Sequence, residues 1–285
     1  MAAQSPNTEP KLAGVIGWPI SQSLSPLIHT IWARRADIDG YYIPIPVEPD
    51  YDSFAKTVDS LRAVGFAGVN ITIPHKEHAL RYADVRSHDA QAAGAANMLT
   101  FRIEKAFADN SDIYGFYKAM SDKGANGNGR VLVLGAGGAA RGVVNALKEL
   151  DYSDITLVNR SREKADDLAE VFALKSASWE DRNKFIEGST ALINTTSLGM
   201  TGQPPLEIDL ALLTKEAIVA DIVYSPLETP LLKAAREKGC RTVDGLAMLM
   251  HQAAPGFETW FGGKAVIDDD LRQNLIAELD RRERT

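Results

Sequence analysis

The chain has 285 residues, which is enough for one large or two ordinary domains with a substantial core. Its hydrophobic fraction of 45% and charged fraction of 24% are those of a soluble globular protein. The net charge of −7 argues against nucleic acid or an anionic membrane as a partner. A small anionic substrate remains compatible with this charge, because a local site can be positive on an acidic protein.

The cysteine content and the N-terminal residues point to the cytoplasm. Cys240 is the only cysteine, so an intramolecular disulfide is excluded, as expected in a reducing compartment. Residues 1–10 are polar and lack the features of a signal peptide, so we expect a frayed tail there. No apolar run reaches membrane-spanning length. We predict a cytoplasmic protein that acts on a small molecule, without nucleic-acid or membrane partners. A homodimer is compatible with the sequence, which does not define the oligomeric state.

A first series of strands and helices is expected between Leu12 and about Asn110. The predicted elements are a strand at 12–17, a helix at 26–36, a strand at 41–47, a helix at 51–64, a strand at 68–74, helices at 76–82 and 89–95, and a strand at 97–103. Strands separated by helices indicate βαβ units and a largely parallel sheet.

A second series follows a loop rich in Gly and Asn at 124–129. The segment Arg130–Leu134 is a continuous apolar strand of the kind that is buried on both faces. The later elements are a helix at 138–150, a strand at 155–159, a helix from about 161, strands at 191–194, 218–223 and 241–243, and helices at 246–258 and 268–282. We predict an α/β protein of two domains with a cleft between them. Residues 1–111 plus 246–285 form a substrate-binding domain, and residues 112–245 form a Rossmann-type domain.

A glycine motif predicts the dinucleotide site. In RVLVLGAGGAARGVVNAL, Gly135, Gly137 and Ala140 fill the positions of G-x-G-x-x-G/A between a strand and a helix. They allow a tight turn, close approach of the backbone to a pyrophosphate, and close packing of the helix on the strand. Gly138 and Ala139 begin the helix, whose N–H groups face the phosphates. A purely structural turn is the alternative.

The end of the next strand indicates which dinucleotide binds. NAD-binding proteins usually carry an Asp or Glu there, whereas this chain has Asn159, Arg160 and Ser161, with Lys164 one turn later. A guanidinium binds a 2′-phosphate as a fork, while a carboxylate would repel it. A solvated basic helix start is the alternative. We predict NADP as the cofactor.

Two residues are candidates for acid–base chemistry. Lys76 follows the strand at 68–74, where the carboxyl ends of parallel strands present ligand groups. Asp112 lies in DNSDIYGF, at the junction of the two series. Transfer of a hydride from a dinucleotide to a carbonyl carbon would need such a proton donor. From spacing alone, however, a surface lysine and an N-cap for a helix from Ile113 are the favoured interpretations.

The sequence resembles shikimate dehydrogenases over almost its whole length. The matching segments are GWPISQSLSPLIH (17–29), GVNITIPHK (68–76), GAANML (94–99), DNSDIYGF (109–116), GAGGAAR (135–141), VNRS (158–161), NTTSLGM (194–200), DIVYSPLETPLL (221–232) and DGLAMLMHQA (244–253). Many motifs in the right order are far more specific than any one of them.

The resemblance implies reversible reduction of 3-dehydroshikimate to shikimate with NADPH, in the shikimate pathway of aromatic amino acid biosynthesis. It places Lys76 and Asp112 on the family's catalytic pair. The implied substrate-binding residues are Ser23, Ser25, Thr72, Asn97, Gln252 and Tyr224. The implied cofactor-binding residues are Gly135, Gly137, Gly138, Ala139, Asn159, Arg160, Ser161, Lys164, Thr195 and Gly245. The chain departs from the family's usual Thr at Met98, which removes a hydroxyl, and at Ser111, which keeps one.

The segment Ser23–Pro26 is a candidate seat for the substrate carboxylate. Pro26 is favoured as the first residue of a helix, and Ser25 before it is a good N-cap. The positive end of that helix would then face an anion, with both serine hydroxyls as further donors. In the alternative, the serines only cap the helix and shape the turn.

Other functions remain as alternatives to this interpretation. A relative that prefers quinate or an aminated ring is one alternative, and a folate-linked methylene dehydrogenase, disfavoured by SQSLSP, is another. A non-catalytic NADP sensor would not need both Lys76 and Asp112. His75 and His78 lack a further ligand at metal spacing, so we predict no metal site. Tyr41 and Tyr42 point to opposite faces of a strand, and we predict no functional role for either.

Overall fold

The computed structural model describes residues 9–284, which form two compact units, each with one six-stranded sheet. The first unit comprises the chain up to Ser111 together with Ala253–Leu275. The second comprises Asp112–Gln252 and the residues from Ile276 onward. Most of the expected N-terminal tail, residues 1–8, lies outside the described residues. Among the described helices, none combines the length and the apolar character needed to cross a membrane.

The first unit contains a mixed sheet with the strand order β2-β1-β3-β5-β6-β4. Its elements are β1 Lys11–Gly17, α1 Ser25–Arg35, β2 Gly40–Pro46, α2 Tyr51–Ala63, β3 Phe66–Ile71, α3 Lys76–Tyr82, β4 Val85–Arg86, α4 His88–Ala93, β5 Met98–Arg102 and β6 Lys105–Asp109. Buried Phe54 and Val58 of α2 pack against Val69 and Ile71 of β3. Asp50 caps α2, because its side chain accepts a hydrogen bond of 2.8 Å from Ser53 N.

The prediction of a largely parallel sheet is wrong for the β5–β6 part of this unit. Strand β5 runs antiparallel to both β3 and β6. The loop between β5 and β6 consists of Ile103 and Glu104, whose φ angles are +38° and +59°. Two successive positive φ angles match a tight hairpin turn. Such turns usually contain Asn or Gly, so the sequence carries no signal for this hairpin.

The prediction that Ser25 caps a helix from Pro26 is also wrong. Helix α1 already begins at Ser25, and Leu24 occupies the capping position with helical backbone angles and no side-chain cap. An N-cap serine needs an extended backbone so that its hydroxyl can turn back to the helix. The Ser25 side chain is instead buried, and its N–H donates to Ser23 Oγ at 3.3 Å.

The second unit contains a wholly parallel sheet with the strand order β12-β11-β10-β7-β8-β9. Its elements are α5 Ser111–Ser121, β7 Arg130–Leu134, α6 Gly138–Glu149, β8 Asp154–Asn159, α7 Arg162–Phe172, β9 Lys175–Ser178, a 3-10 helix Trp179–Phe185, β10 Ser189–Asn194, β11 Ile218–Asp221, α8 Pro230–Lys238 and β12 Arg241–Val243. Helices α9 Gly245–Phe261 and α10 Asp269–Glu283 contribute to both units. The predicted α/β class with two sheets is confirmed.

Candidate active site and cofactor site

The carboxyl edge of the first sheet brings several predicted substrate residues together. Thr72 N donates to Ile16 O at 2.9 Å, which joins the ends of β3 and β1. Ala96 N donates to Lys76 O at 2.9 Å, so the segment that leads to Asn97 runs beside the start of α3. Thr72 and Lys76 are half-buried, whereas Asn97 is buried. All three residues therefore lie at one edge of the sheet. Thr72 and Lys76 follow the parallel strand β3, the position from which the sequence analysis predicts Lys76, whereas Asn97 precedes the antiparallel strand β5.

A pair of histidines anchors the residue that precedes Lys76. His75 is buried, and its Nε2 bonds to Val47 O at 2.9 Å. A carbonyl only accepts, so Nε2 carries a hydrogen, and His75 Nδ1 lies within hydrogen-bond distance of His78 Nδ1, at 3.1 Å. Burial, followed by the neighbouring His75 and Arg81, lowers the pKa of His78. This hydrogen-bonded pair fixes the N-terminus of α3.

The Asn97 carboxamide holds the start of α5. Its Oδ1 accepts from Ser111 N at 2.8 Å, and its Nδ2 donates to Ser111 Oγ at 3.1 Å. Because α5 begins at Ser111, Asp112 lies within the first turn and is not the residue before a helix from Ile113. The departure from Thr at Ser111 thus retains a hydroxyl that contacts a predicted substrate ligand.

Helix α5, which carries the predicted catalytic residue Asp112, touches helix α9, which carries the predicted substrate residue Gln252, at Gly115. A Cβ added there would lie 2.7 Å from Gln252 Cβ and 2.8 Å from Met248 O. The same helices are joined by His251 Nε2 and Asp122 Oδ2, which are 3.1 Å apart. Gln252 is buried, and its Nε2 donates to Leu249 O at 3.1 Å. The helix that bears Asp112 therefore packs directly against Gln252.

Tyr224 and Gly245 lie near the carboxyl edge of the second sheet. Tyr224 is half-buried, and its burial raises the pKa of the phenol while Arg282 opposes the rise. Gly245 N donates to Val223 O at 3.2 Å. A Cβ at Gly245 would lie 2.2 Å from Ile222 O, so close backbone packing already requires glycine there.

The glycine turn after β7 has the geometry of a dinucleotide cradle. Gly135 has a φ of +109°, and a Cβ there would lie 2.4 Å from Thr195 Oγ1. Thr195 Oγ1 donates to Leu134 O at 2.8 Å and so fixes the residue that precedes the turn. A Cβ at Gly137 or Gly138 would meet no atom within 4 Å among the described residues. The N-terminus of α6 therefore faces open space, and this arrangement fits a pyrophosphate.

Strand β8 ends beside this turn, and two exposed cationic residues, Arg160 and Lys164, follow it. Asn159 Oδ1 accepts from Ala136 N at 3.2 Å, and Asn159 Nδ2 donates to Ser161 O at 2.9 Å. Arg160 and Lys164 are exposed, and neither forms an ion pair or hydrogen bond within residues 9–284. Such uncompensated cations fit a phosphate on the adenosine ribose.

Asp221 is a buried residue of this edge that the sequence analysis did not single out. Its carboxylate accepts from Asn194 Nδ2 at 3.0 Å, Val223 N at 3.1 Å and Thr229 Oγ1 at 2.8 Å. Burial raises its pKa from 3.8 to about 6, although these three hydrogen bonds oppose the rise. It joins the end of β10 and the segment after β11 to Thr229, which caps α8. No local pattern marks such a residue, because its partners come from separate segments.

The fold and the cradle define a class of protein. Counted along the chain from β7, the strands of the second sheet lie in the order 3-2-1-4-5-6, and the glycine turn follows the first of them. This is the arrangement of Rossmann-type dinucleotide-binding domains.

Two family profiles match the chain. The profile described as "Shikimate dehydrogenase substrate binding domain" matches residues 15–99, and that described as "Shikimate / quinate 5-dehydrogenase" matches residues 119–200. The shikimate dehydrogenase (NADP(+)) of Rhodospirillum rubrum is 45% identical over 278 residues, which cover 94% of this chain and 98% of that protein. The chain belongs to the shikimate dehydrogenase family, which confirms the resemblance seen in the sequence.

Solved structures agree with this assignment. The structure of shikimate 5-dehydrogenase from Thermus thermophilus in complex with NADP(H) and shikimate has a TM-score of 0.83 and 31% identity, covering 94% of this chain and 99% of that one. Quinate dehydrogenase from Corynebacterium glutamicum in complex with NAD has a TM-score of 0.87 and 28% identity, again covering 94% and 99%.

Proposed function

We propose that this protein catalyses the reversible, NADP-dependent reduction of 3-dehydroshikimate to shikimate, a step in aromatic amino acid biosynthesis. The observation that carries the proposal is the 45% identity to a shikimate dehydrogenase (NADP(+)) along 94% of the chain. The cradle at Gly137 and Gly138 fits NADP independently of that similarity, as does Arg160, which has no ion-pair partner among the described residues.

The two proposed domains divide the work. Residues 1–111 plus 246–285 bind the ring substrate, and residues 112–245 bind NADP. The match of residues 15–99 to a substrate-binding-domain profile supports the first assignment. The parallel sheet with its glycine turn supports the second.

In the proposed mechanism, bound NADPH supplies the hydride. Lys76 and Asp112 form the pair that holds the reacting oxygen and exchanges its proton. The Lys76 side chain donates a hydrogen bond to the ketone oxygen and polarises it, and Asp112 is the second member of the pair. His75 and His78 fix the start of α3, which carries Lys76. Asn97 fixes the start of α5, which carries Asp112.

The proposed seat of the substrate carboxylate lies at the start of α1. This helix has no acidic residue in its first turn and no side-chain cap, so its positive end is not neutralised locally. Ser23 is half-buried beside it, and its Oγ accepts from Ser25 N. A hydroxyl donor next to a helix N-terminus suits a carboxylate.

Oxidation of quinate is a second candidate function. It is favoured by the profile that covers shikimate and quinate dehydrogenases and by the similarity to a quinate dehydrogenase with a TM-score of 0.87. That enzyme was solved with NAD, whereas Arg160 of this chain favours NADP.

The two functions are separated by one assay on the purified protein. Shikimate, quinate, an aminated ring analogue or no ring substrate is supplied with NADP or with NAD, and reduction of the nucleotide is followed. We expect the highest kcat/KM with shikimate and NADP. A higher kcat/KM for nucleotide reduction with quinate than with shikimate would favour the second function. Nucleotide binding without turnover of any ring substrate would indicate an NADP sensor.

Two further assignments belong to this proposal. We expect the protein in the cytoplasm, which cell fractionation tests. A homodimer remains a hypothesis, which light scattering on the purified protein tests.

A further inference from the structure

We propose that Tyr42 is a positioning residue that, through Asn70, fixes the orientation of Asn97 and Ser111 at the start of the helix bearing Asp112. The proposal rests on the function proposed above, in which Asn97 binds the substrate and Asp112 belongs to the catalytic pair. The sequence pattern does not distinguish Tyr42 from Tyr41, because the two simply point to opposite faces of their strand. The proposal gives Tyr42 a role that Tyr41 lacks.

Tyr42 and Tyr41 differ sharply in their surroundings. Tyr41 is 58% exposed, whereas Tyr42 is 6% exposed and points into the core of the first unit. The ring of His29 stacks on the Tyr42 ring at 3.8 Å between centroids, with an interplanar angle of 15°. The Tyr42 hydroxyl therefore stands at the end of a ring that packing holds in one orientation.

The phenol begins a chain of hydrogen bonds that leads to α5. Tyr42 OH donates to Asn70 Oδ1 at 2.7 Å, and Asn70 Nδ2 donates at 3.2 Å to the Asn97 backbone carbonyl, which also accepts from Ile71 N at 2.8 Å. The Asn97 side chain then bonds to Ser111 through both its amide oxygen and its amide nitrogen. Asn70, Asn97 and Ser111 are all buried, so water does not replace a partner that is lost.

The direction of each bond in this chain is determined. Asn70 Nδ2 must donate to the Asn97 carbonyl, so Asn70 Oδ1 faces Tyr42 and only accepts. The phenol proton is thus committed to Asn70. The phenol oxygen is left to accept: burial raises the Tyr42 pKa, and a hydrogen bond with the Ser25 side chain opposes the rise, as a bond donated to that oxygen would.

The neighbouring histidine keeps this environment uncharged. His29 Nδ1 lies 2.9 Å from Ser25 O and must donate to it, which leaves Nε2 without a hydrogen. His29 Nε2 has no hydrogen-bond partner among the described residues. Burial lowers the pKa of His29 to about 3, while its bond to Ser25 opposes this. Burial also raises the pKa of Tyr42 well above its usual value. Both rings are therefore neutral at physiological pH.

Removing the phenol oxygen would release the chain at its first member. Tyr42→Phe keeps the ring and its packing, but it leaves Asn70 Oδ1 buried without its donor. The Asn70 amide would then no longer be held with Nδ2 toward Asn97. The Asn97 backbone carbonyl would then keep only the hydrogen bond from Ile71 N, so the residue whose side chain binds Ser111 would be held less firmly. We expect this loosening to lower activity while the fold is retained.

A double-mutant cycle tests this role in the full-length protein. The variants are Tyr42→Phe, Asn97→Ala and the combination, with Tyr41→Phe as the matched control on the exposed neighbour. We expect Tyr42→Phe to lower kcat/KM for shikimate by about tenfold and to change the KM for NADP by less than about twofold. In the Asn97→Ala background, Tyr42→Phe should have an effect of less than about twofold, because no Asn97 side chain remains to be oriented. Tyr41→Phe should behave as wild type.

Each other outcome overturns the proposal in a distinguishable way. If Asn97→Ala lowers kcat/KM but Tyr42→Phe does not, Tyr42 has no positioning role and the proposed function stands. Equal effects of Tyr42→Phe with and without Asn97 would mean that Tyr42 acts on stability alone, and the melting temperatures would show it. If Asn97→Ala leaves turnover of shikimate unchanged, the assignment of Asn97 fails, and the role of Tyr42 fails with it.

Discussion

Replacing Asp221 by Asn should change how the stability of the protein depends on pH. This carboxyl group is 1% exposed and accepts three hydrogen bonds, from Asn194, Val223 and Thr229. In the Asn variant, Oδ1 can still accept from Asn194 and Val223, and the new amide NH₂ can donate to Thr229 Oγ1. The substitution therefore removes the titration with little change in volume.

The sign and size of the effect follow from the raised pKa. The pKa of Asp221 is about 6 in the folded protein against an ordinary value of 3.8. Between these values the folded state binds more protons than the unfolded state, so stability falls as the pH rises through this interval. The penalty is absent below about pH 4 and complete above about pH 6, and a rise of about two units corresponds to roughly 3 kcal/mol.

Urea-induced unfolding at several pH values between about 4 and 7.5 measures this penalty. The free energy of unfolding of the wild type minus that of Asp221→Asn should fall by roughly 3 kcal/mol from the acidic to the neutral end of the range. Asp167→Asn, at an exposed position of α7, is the matched control and should show no such change. A wild-type-minus-variant difference that is constant across this range would refute the reasoning.

Three further predictions concern the sites. Gly115→Ala should destabilise the fold by about 1–3 kcal/mol and raise the KM for shikimate, because its Cβ would lie 2.7 Å from Gln252 Cβ; unchanged thermal unfolding and kinetics would contradict the close helix contact. Arg160→Asp should weaken NADP binding by about tenfold or more while sparing NAD, as titration calorimetry would show, and equal use of both nucleotides by the wild type would argue against this loop assignment. Ser23→Ala should raise the KM for shikimate about fivefold, a loss of about 1 kcal/mol, at nearly unchanged melting temperature; an unchanged KM would place the carboxylate elsewhere.

Much of the fold is predictable where local pattern and burial coincide. The strand Arg130–Leu134 and the helix Lys76–Tyr82 have the bounds that the sequence predicts. The buried parallel strand is a continuous apolar run, and such runs are easy to recognise. Helix α8 is not among the predicted elements, although the sequence carries signals for it. Thr229 caps the helix before a proline, and Gly239 ends it. The hairpin at Ile103 was missed because the turn lacks the usual residues.

The candidate sites divide in the same way. The cofactor cradle follows from a local motif, in which Gly135, Gly137 and Gly138 are close in sequence. The chain of hydrogen bonds links Tyr42 to Asn70, 28 positions away, and Asn70 to Asn97, a further 27 positions away. No rule of sequence spacing indicates contacts at such separations. The sequence alone does not distinguish Tyr42, because alternation along a strand gives the facing of a side chain but not its hydrogen-bond partner.

The central claim is tested most directly by the turnover of shikimate in a Lys76→Ala variant. The measurement is the rate of NADPH formation at saturating shikimate and NADP, with Lys105→Ala as a control at an exposed lysine of the same unit. We predict that the wild type and the control turn over equally and that Lys76→Ala loses about 10²-fold or more in kcat, with NADP affinity retained. Retained turnover in Lys76→Ala would contradict the proposed pair, and absence of shikimate-dependent NADPH formation in the wild type would contradict the function itself.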